Sequence, residues 1–211
     1  MTVPPAPQLL PMEEADLEEA VRIEIWGNPV DDTQKIIMER ERTPSGVAKL
    51  VERRRKTFLH DPMTTWLKVV DTTTGNIMAW ATWYFYPALT EEEVARGPEA
   101  LEWPLPQWYR PFMEFRYEVM KGRPHYLLGM IVTAPEYRRR GAARLLLQWG
   151  FDRADEAGVE VYIEASVAGR PMYECFGLRV LKVIEFDMTQ LGYAGVDTHT
   201  CMLRPVKGHD V

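Results

Sequence analysis

Cysteine is scarce in this chain of 211 residues: Cys175 and Cys201 are the two present. Two isolated thiols cannot build a disulfide framework. No Cys-x-x-Cys pair offers the ligands of a zinc site or the thiols of a redox centre. Serine is as scarce. Ser45 and Ser166 both stand outside any Gly-x-Ser-x-Gly elbow, so an esterase-type nucleophile is excluded. His60, His125, His199 and His209 are dispersed and show no metal-ligand spacing. Positive charge is not in excess. With 25 basic against 31 acidic residues the net charge is -6, which suits neither phosphate neutralisation nor nucleic-acid binding. No apolar run approaches the ~18 residues a membrane span needs. No basic segment followed by a long apolar one opens the chain. The expectation is a soluble, cytoplasmic protein in a reducing compartment, a monomer or a homodimer, without metal, nucleic acid or membrane.

What the chain does have is apolar bulk. Hydrophobic residues make up 46% of it, with seven Trp, nine Tyr and seven Phe, enough for a packed core and an aromatic pocket. The length fits one domain, 1–211, with an insertion.

Local patterns order the elements. Gln8 to Met12 predicts a short strand. Glu13 to Trp26 predicts a helix with Leu17, Ala20, Val21, Ile23 and Ile25 at helical spacing. Thr33 to Arg42 and Val47 to Leu59 predict two more. The second carries Arg53, Arg54, Arg55 and Lys56, a run read as a solvated helix face rather than a nucleic-acid patch. Thr65 to Asp71 and Ile77 to Tyr86 predict a hairpin of half-buried strands holding Trp66, Trp80 and Trp83. Residues 87–124 break the pattern. After a helical stretch at Thr90 to Val94 come Trp103, Pro104, Pro106, Trp108, Tyr109, Pro111, Phe112, Phe115 and Tyr117. Two readings of this insertion stand open: an aromatic lid over a ligand, or a helix and loop against the sheet edge.

Tyr126 to Thr133 is a continuous apolar run and predicts a buried strand. Gly141 to Ala157 predicts a helix with Ala143, Leu147, Phe151 and Ala154 on one face, stopped by Gly158. Val159 to Ala165 predicts the next strand. A short helix near Pro171 to Phe176 and strands over Leu178 to Met188 and Thr198 to Leu203 follow. Strand, helix and strand across 126–165 make a βαβ unit, hence a parallel pair with a right-handed crossover. With the hairpin ahead of it, the class is α/β of the mixed α+β kind: a mixed sheet with helices on both faces.

The chemistry lies in Val132 to Ala143. A buried strand ends, and a turn with Arg138, Arg139, Arg140 and Gly141 opens a helix. The first N–H groups of a helix have no internal partner and sit at the positive end of its dipole. Such an end binds anions. Gly141 removes the Cβ that would keep a ligand away, Ala142 and Ala143 keep the next positions small, and the arginines add charge. The set suits a diphosphate. Neither a Gly-x-Gly-x-x-Gly nor a P-loop pattern is present.

The spacing Arg138-x-x-Gly141-x-Ala143 resembles the coenzyme A motif of the GNAT acetyltransferases, [Q/R]-x-x-G-x-[G/A]. Tyr173 to Leu178 resembles that family's Y-x-x-x-G-F signature, with Leu178 in place of Phe. Val161 to Ser166 and Gly169 to Pro171 are similar to fungal members of the family. The resemblance implies a GNAT fold, in which the fourth and fifth strands splay to admit the pantetheine arm of acetyl-CoA. It implies backbone contacts from Met130, Ile131 and Val132, with an N–H near Ile131 facing the developing oxyanion, and a diphosphate held around Arg138, Arg139, Arg140, Gly141, Ala142 and Ala143. The reaction it implies is direct acetyl transfer to an amine. The amine belongs to a small molecule or, alternatively, to a protein; a coenzyme A-binding module without turnover is the competing reading. Tyr173 takes the acid position. Glu164, flanked by apolar residues, is the candidate base, since burial favours proton acceptance near neutral pH. His125 is a second candidate. Glu114 and Glu118 are read as surface carboxylates, and Cys175 as a packed thiol.

Overall fold

Where β-branched and aromatic residues run together the chain is extended; where apolar residues recur every third and fourth position it coils. A computed structural model describes residues 7–27, 41–97, 109–191 and 194–208. The strands are β1 (Gln8–Pro11), β2 (Thr64–Val70), β3 (Ile77–Tyr86), β4 (His125–Thr133), β5 (Glu160–Ser166), β6 (Arg179–Asp187) and β7 (Val196–Arg204). The helices are α1 (Leu17–Gly27), α2 (Pro44–His60), α3 (Glu91–Arg96), α4 (Arg110–Met120), α5 (Ala142–Ala157) and α6 (Arg170–Cys175). The expected helix at Thr33 to Arg42, and Trp103, Pro104, Pro106 and Trp108 of the insertion, lie almost wholly or wholly outside the described residues.

The seven strands form one mixed sheet in the order β1-β2-β3-β4-β5-β7-β6. β4, α5 and β5 follow one another as the expected crossover, which leaves β4 and β5 parallel. The chain divides into two compact units, Met1–Tyr84 with Leu128–Asp152, and Phe85–Leu127 with Arg153–Val211.

In the first unit β1, β2 and β3 are antiparallel neighbours, with Leu9 opposite Val69 and Lys68 opposite Trp80. The β2–β3 turn closes through Gly75, whose N–H bonds to Asp71 O at 2.7 Å from a left-handed φ of 78°. The three tryptophans are not half-buried as expected but 6%, 1% and 0% exposed at Trp66, Trp80 and Trp83. The cause is cover on both faces of β3. Trp80 and Trp83 point to opposite sides of the strand. Trp80 Nε1 donates to Ala20 O of α1 at 2.9 Å, and Trp83 Nε1 to Leu146 O of α5 at 3.1 Å. Gly150 of α5 is the price of that closeness, since a Cβ there would meet the Trp83 indole at 2.3 Å.

α1 and α2 pack through Val21, Ile25, Val47 and Leu50. Thr43 caps α2 by accepting from Gly46 N–H at 3.0 Å, and Pro44 opens it. On the apolar stripe of α1, at Leu17, Ala20, Val21 and Ile25, the remaining position is Glu24, which is fully buried. Its partner lies in the basic run. Arg54 follows Val47, Leu50 and Val51 on the inner face of α2 and grips both Glu24 oxygens. Arg55 pairs with Glu14 at 2.9 Å and Glu52 at 3.2 Å, while Arg53 and Lys56 are exposed. The run is therefore a solvated face along only part of its length.

In the second unit β5, β7 and β6 are antiparallel, with Glu164 opposite Cys201 and Lys182 also opposite Cys201 across a bulge. The insertion resolves into α3, capped by a Thr90–Glu93 box, and α4. α4 turns Phe112, Arg116 and Met120 inward.

Candidate active site

The first unit carries the strand end and the turn. Val132 is 5% exposed, and a Cβ on Gly27 would fall 2.8 Å from its Cγ1. Its side chain is core, so its peptide groups are what it offers a ligand. Met130 and Ile131 are half-buried, and Met130 Sδ lies 3.9 Å from Arg54 Nη2. Beyond β4 a short 3-10 turn, Pro135–Tyr137, buries Tyr137. The Tyr137 hydroxyl accepts from Asn76 Nδ2 at 3.4 Å, which ties the turn to the β2–β3 hairpin. Arg139 (φ 63°) and Gly141 (φ 85°) are both left-handed, and α5 begins at Ala142.

Four arginines flank this turn, with different roles. Arg138 turns back and donates to Gly27 O, the last carbonyl of α1, at 2.5 Å. Arg140 lies over the Tyr137 ring at 5.3 Å. Arg139 and Arg144 are exposed, and neither has a side-chain partner among the described residues. The first hydrogen bond of α5 runs from Leu145 N–H to Gly141 O at 3.3 Å, so the amides just before it have no carbonyl one turn behind. No acidic residue sits in the first turn to neutralise the dipole. A Cβ built on Gly141 meets nothing within 4 Å. Open space, unbonded amides and free guanidinium charge fit the diphosphate of coenzyme A.

The second unit holds Glu164 and Tyr173. The Glu164 side chain is 8% exposed. Tyr109, the residue capping α4, donates its hydroxyl hydrogen to Oε2. Arg116 Nη1 stands 3.8 Å from Oε1, an ion pair too long for a hydrogen bond, and both atoms are buried without a hydrogen-bond partner among the described residues. Burial pushes the Glu164 carboxyl up to about 8. Tyr173 of α6 is 5% exposed, and burial raises its hydroxyl above the ordinary phenol value. Gly169 makes room for it, since a Cβ there would stand 3.0 Å from Tyr173 Cε2.

His125 is not placed to titrate usefully. It is 7% exposed, its Nδ1 lies 2.9 Å from Arg123 O, and its ring stacks on Tyr86 at 5.1 Å. Burial, with Arg116 nearby, lowers it to about 4. Glu114 pairs with Arg110 at 2.8 Å on the surface, and Glu118 is exposed. Cys175 is exposed rather than packed; Cys201 is the buried thiol.

Sequence reasoning missed Tyr109 and Arg116 as partners of Glu164. The available signal was an arginine at the inward position of a helix whose face otherwise reads Phe112 and Met120.

A mixed α/β fold with an open, amide-lined strand-to-helix turn suits a protein that binds a nucleotide coenzyme. Residues 30–178 match the family model described as the acetyltransferase (GNAT) family. The chain belongs to the GNAT acetyltransferase family and is an acyltransferase that depends on acetyl-CoA. No curated protein matches it. Among solved structures it is similar to arylalkylamine N-acetyltransferase 2 of Aedes aegypti, with a TM-score of 0.65 at 13% identity over 95% of this chain and 99% of that one. It is also similar to histone acetyltransferase HPA2 and related acetyltransferase from Corynebacterium glutamicum, at 0.61 and 20% over 98% and 100%. A phosphinothricin acetyltransferase of Sinorhizobium meliloti, solved in complex with AcCoA, gives 0.60 and 14% over 96% and 89%. At such identities these likenesses speak for the fold.

Proposed function

We propose that the chain, 1–211 acting as one catalytic domain in a cytoplasmic setting, acetylates the primary amine of a small molecule by direct attack. The observation that carries the reading is the open amide cradle at Gly141, in a family that uses acetyl-CoA. When bound, acetyl-CoA supplies an acetyl group as a thioester already activated toward amines. The amides of Arg139, Arg140, Gly141, Ala142 and Ala143 bind the diphosphate, with Arg139 and Arg144 adding charge. The peptide groups of Met130, Ile131 and Val132 orient the pantetheine arm. Glu164 takes a proton from the acceptor ammonium at a carboxylate oxygen, a role that a carboxyl raised by burial suits. Tyr173, whose hydroxyl holds its proton firmly, is the proton donor at Oη.

The likeness to an acetyltransferase named for arylalkylamines favours a small acceptor over a peptide. Thiol release from acetyl-CoA, followed across small primary amines and amine-bearing peptides, tests this. Saturable release with a small amine supports it. Release with peptides alone moves the acceptor class to proteins, and binding without release with any amine leaves a coenzyme A-binding module.

A further inference from the structure

α4 brings one hydroxyl donor and one cation to a single carboxylate. Tyr109, Phe112 and Arg116 occupy one face of the helix, at i, i+3 and i+7. The Tyr109 hydroxyl bonds to Glu164 Oε2, and Arg116 sets its guanidinium 3.8 Å from Oε1. Both members of the ion pair are more than nine-tenths buried, at 5% and 8% exposed. Arg116 is steadied from its other side, lying over the Tyr86 ring at 5.2 Å. The other titratable groups around the carboxylate do not substitute for it. Cys201 faces Glu164 from β7, its thiol pushed up to about 11 by burial. Tyr162 on β5 keeps its proton for the same reason. Lys182 on β6 lies over Phe115 at 4.7 Å. His125 on β4 is neutral.

A carboxylate withdrawn from water keeps its charge and its rotamer only where donors replace the lost hydration. Here a hydroxyl donor and an opposite charge take the place of that hydration, and both come from the segment between β3 and β4. We propose that Tyr109 and Arg116 are positioning residues for Glu164, fixing the orientation and the charge of its carboxylate. This rests on the reading of Glu164 as proton acceptor. Without either the hydroxyl or the guanidinium the buried carboxyl holds its proton to higher pH, and fewer molecules can accept one at neutrality.

The test is the pH dependence of kcat with one small amine and saturating acetyl-CoA. Tyr109→Phe and Arg116→Gln each move the acid limb upward, Arg116→Gln by about one unit or more, while acetyl-CoA affinity stays at its wild-type value. Arg116→Lys keeps the charge and returns the limb toward wild type. In a Glu164→Gln background the limb is gone, and Tyr109→Phe changes nothing further. If Arg116→Gln does not fold, Tyr109→Phe and Arg116→Lys carry the test. A limb that persists in Glu164→Gln overturns the base assignment, and this proposal with it. A limb abolished by Glu164→Gln but unmoved by Tyr109→Phe and by the Arg116 variants overturns this proposal alone.

Discussion

Gly141 separates folding from binding, because the same position is conformationally demanding and sterically empty. Its φ of +85° lies where a side chain costs roughly 1–2 kcal/mol. Nothing within 4 Å would obstruct a new Cβ. Gly141→Ala should therefore lower stability by about 1 kcal/mol, a drop in Tm of about 3 °C for a chain of this size, and fold normally. Gly141→Asp bears the same backbone cost and also puts a carboxylate into the diphosphate cradle. At an effective dielectric near 20 a unit-charge repulsion at about 4 Å is ~4 kcal/mol. Halving that for solvent at this exposed turn leaves ~2 kcal/mol, about thirtyfold in Kd. Calorimetric titration with acetyl-CoA, paired with thermal melting, should rank affinity as wild type, then alanine, then aspartate, with both variants melting alike. A folded aspartate variant that binds as tightly as wild type would refute the cradle.

Tyr173→Phe should reduce turnover by about 10²–10⁴ while acetyl-CoA affinity stays within about twofold; steady-state rates beside a binding titration check both halves. Glu24→Gln leaves the Arg54 guanidinium without its anion, and because Arg54 is 22% exposed the cost should lie near the low end of the range for a broken buried pair, about 3 kcal/mol. Denaturant unfolding measures it, and a loss under ~1 kcal/mol would class the pair with ordinary surface ion pairs. His125 is lowered from 6.5 to about 4 in the folded chain, so the unfolded chain binds the extra proton between those values. Its contribution to stability is complete above 6.5 and is lost as pH falls toward 4. At about 1.4 kcal/mol per unit that is about 3 kcal/mol. Melting of His125→Gln should be flatter than wild type across this window; equal slopes would mean the ring takes up its proton in place.

Most strands and helices of the described residues were legible to within about two residues, because period-2 and period-3.6 patterns are local and the turns carry Gly or Pro; the starts of α1 and α2, at Leu17 and Pro44 rather than Glu13 and Val47, were not, and α4 lay in the insertion that was left open. The strand, turn and helix around Gly141 were legible for the same reason: they are consecutive. What was not legible is what joins distant positions. Tyr109 reaches Glu164 over a separation of 55 residues, and Arg54 reaches Glu24 over 30. Neither pairing leaves a trace in periodicity. A weaker signal did exist. Glu24 and Arg54 both stand on apolar stripes, and a charge at a core position demands an opposite one. His125 is a case of another kind, since its titration is set first by burial and then by neighbouring guanidinium groups, which no local pattern reveals.

Arg138 opens the [Q/R]-x-x-G-x-[G/A] pattern, yet its guanidinium is spent on the terminal carbonyl of α1, 111 residues away in sequence. That contact uses both an N–H at the end of a long stem and a positive charge, which the negative end of the α1 dipole favours. Arg138 thus acts as a strut bracing the first helix against the turn before α5, and the guanidinium charge left open to an anion there is that of Arg139 and Arg144.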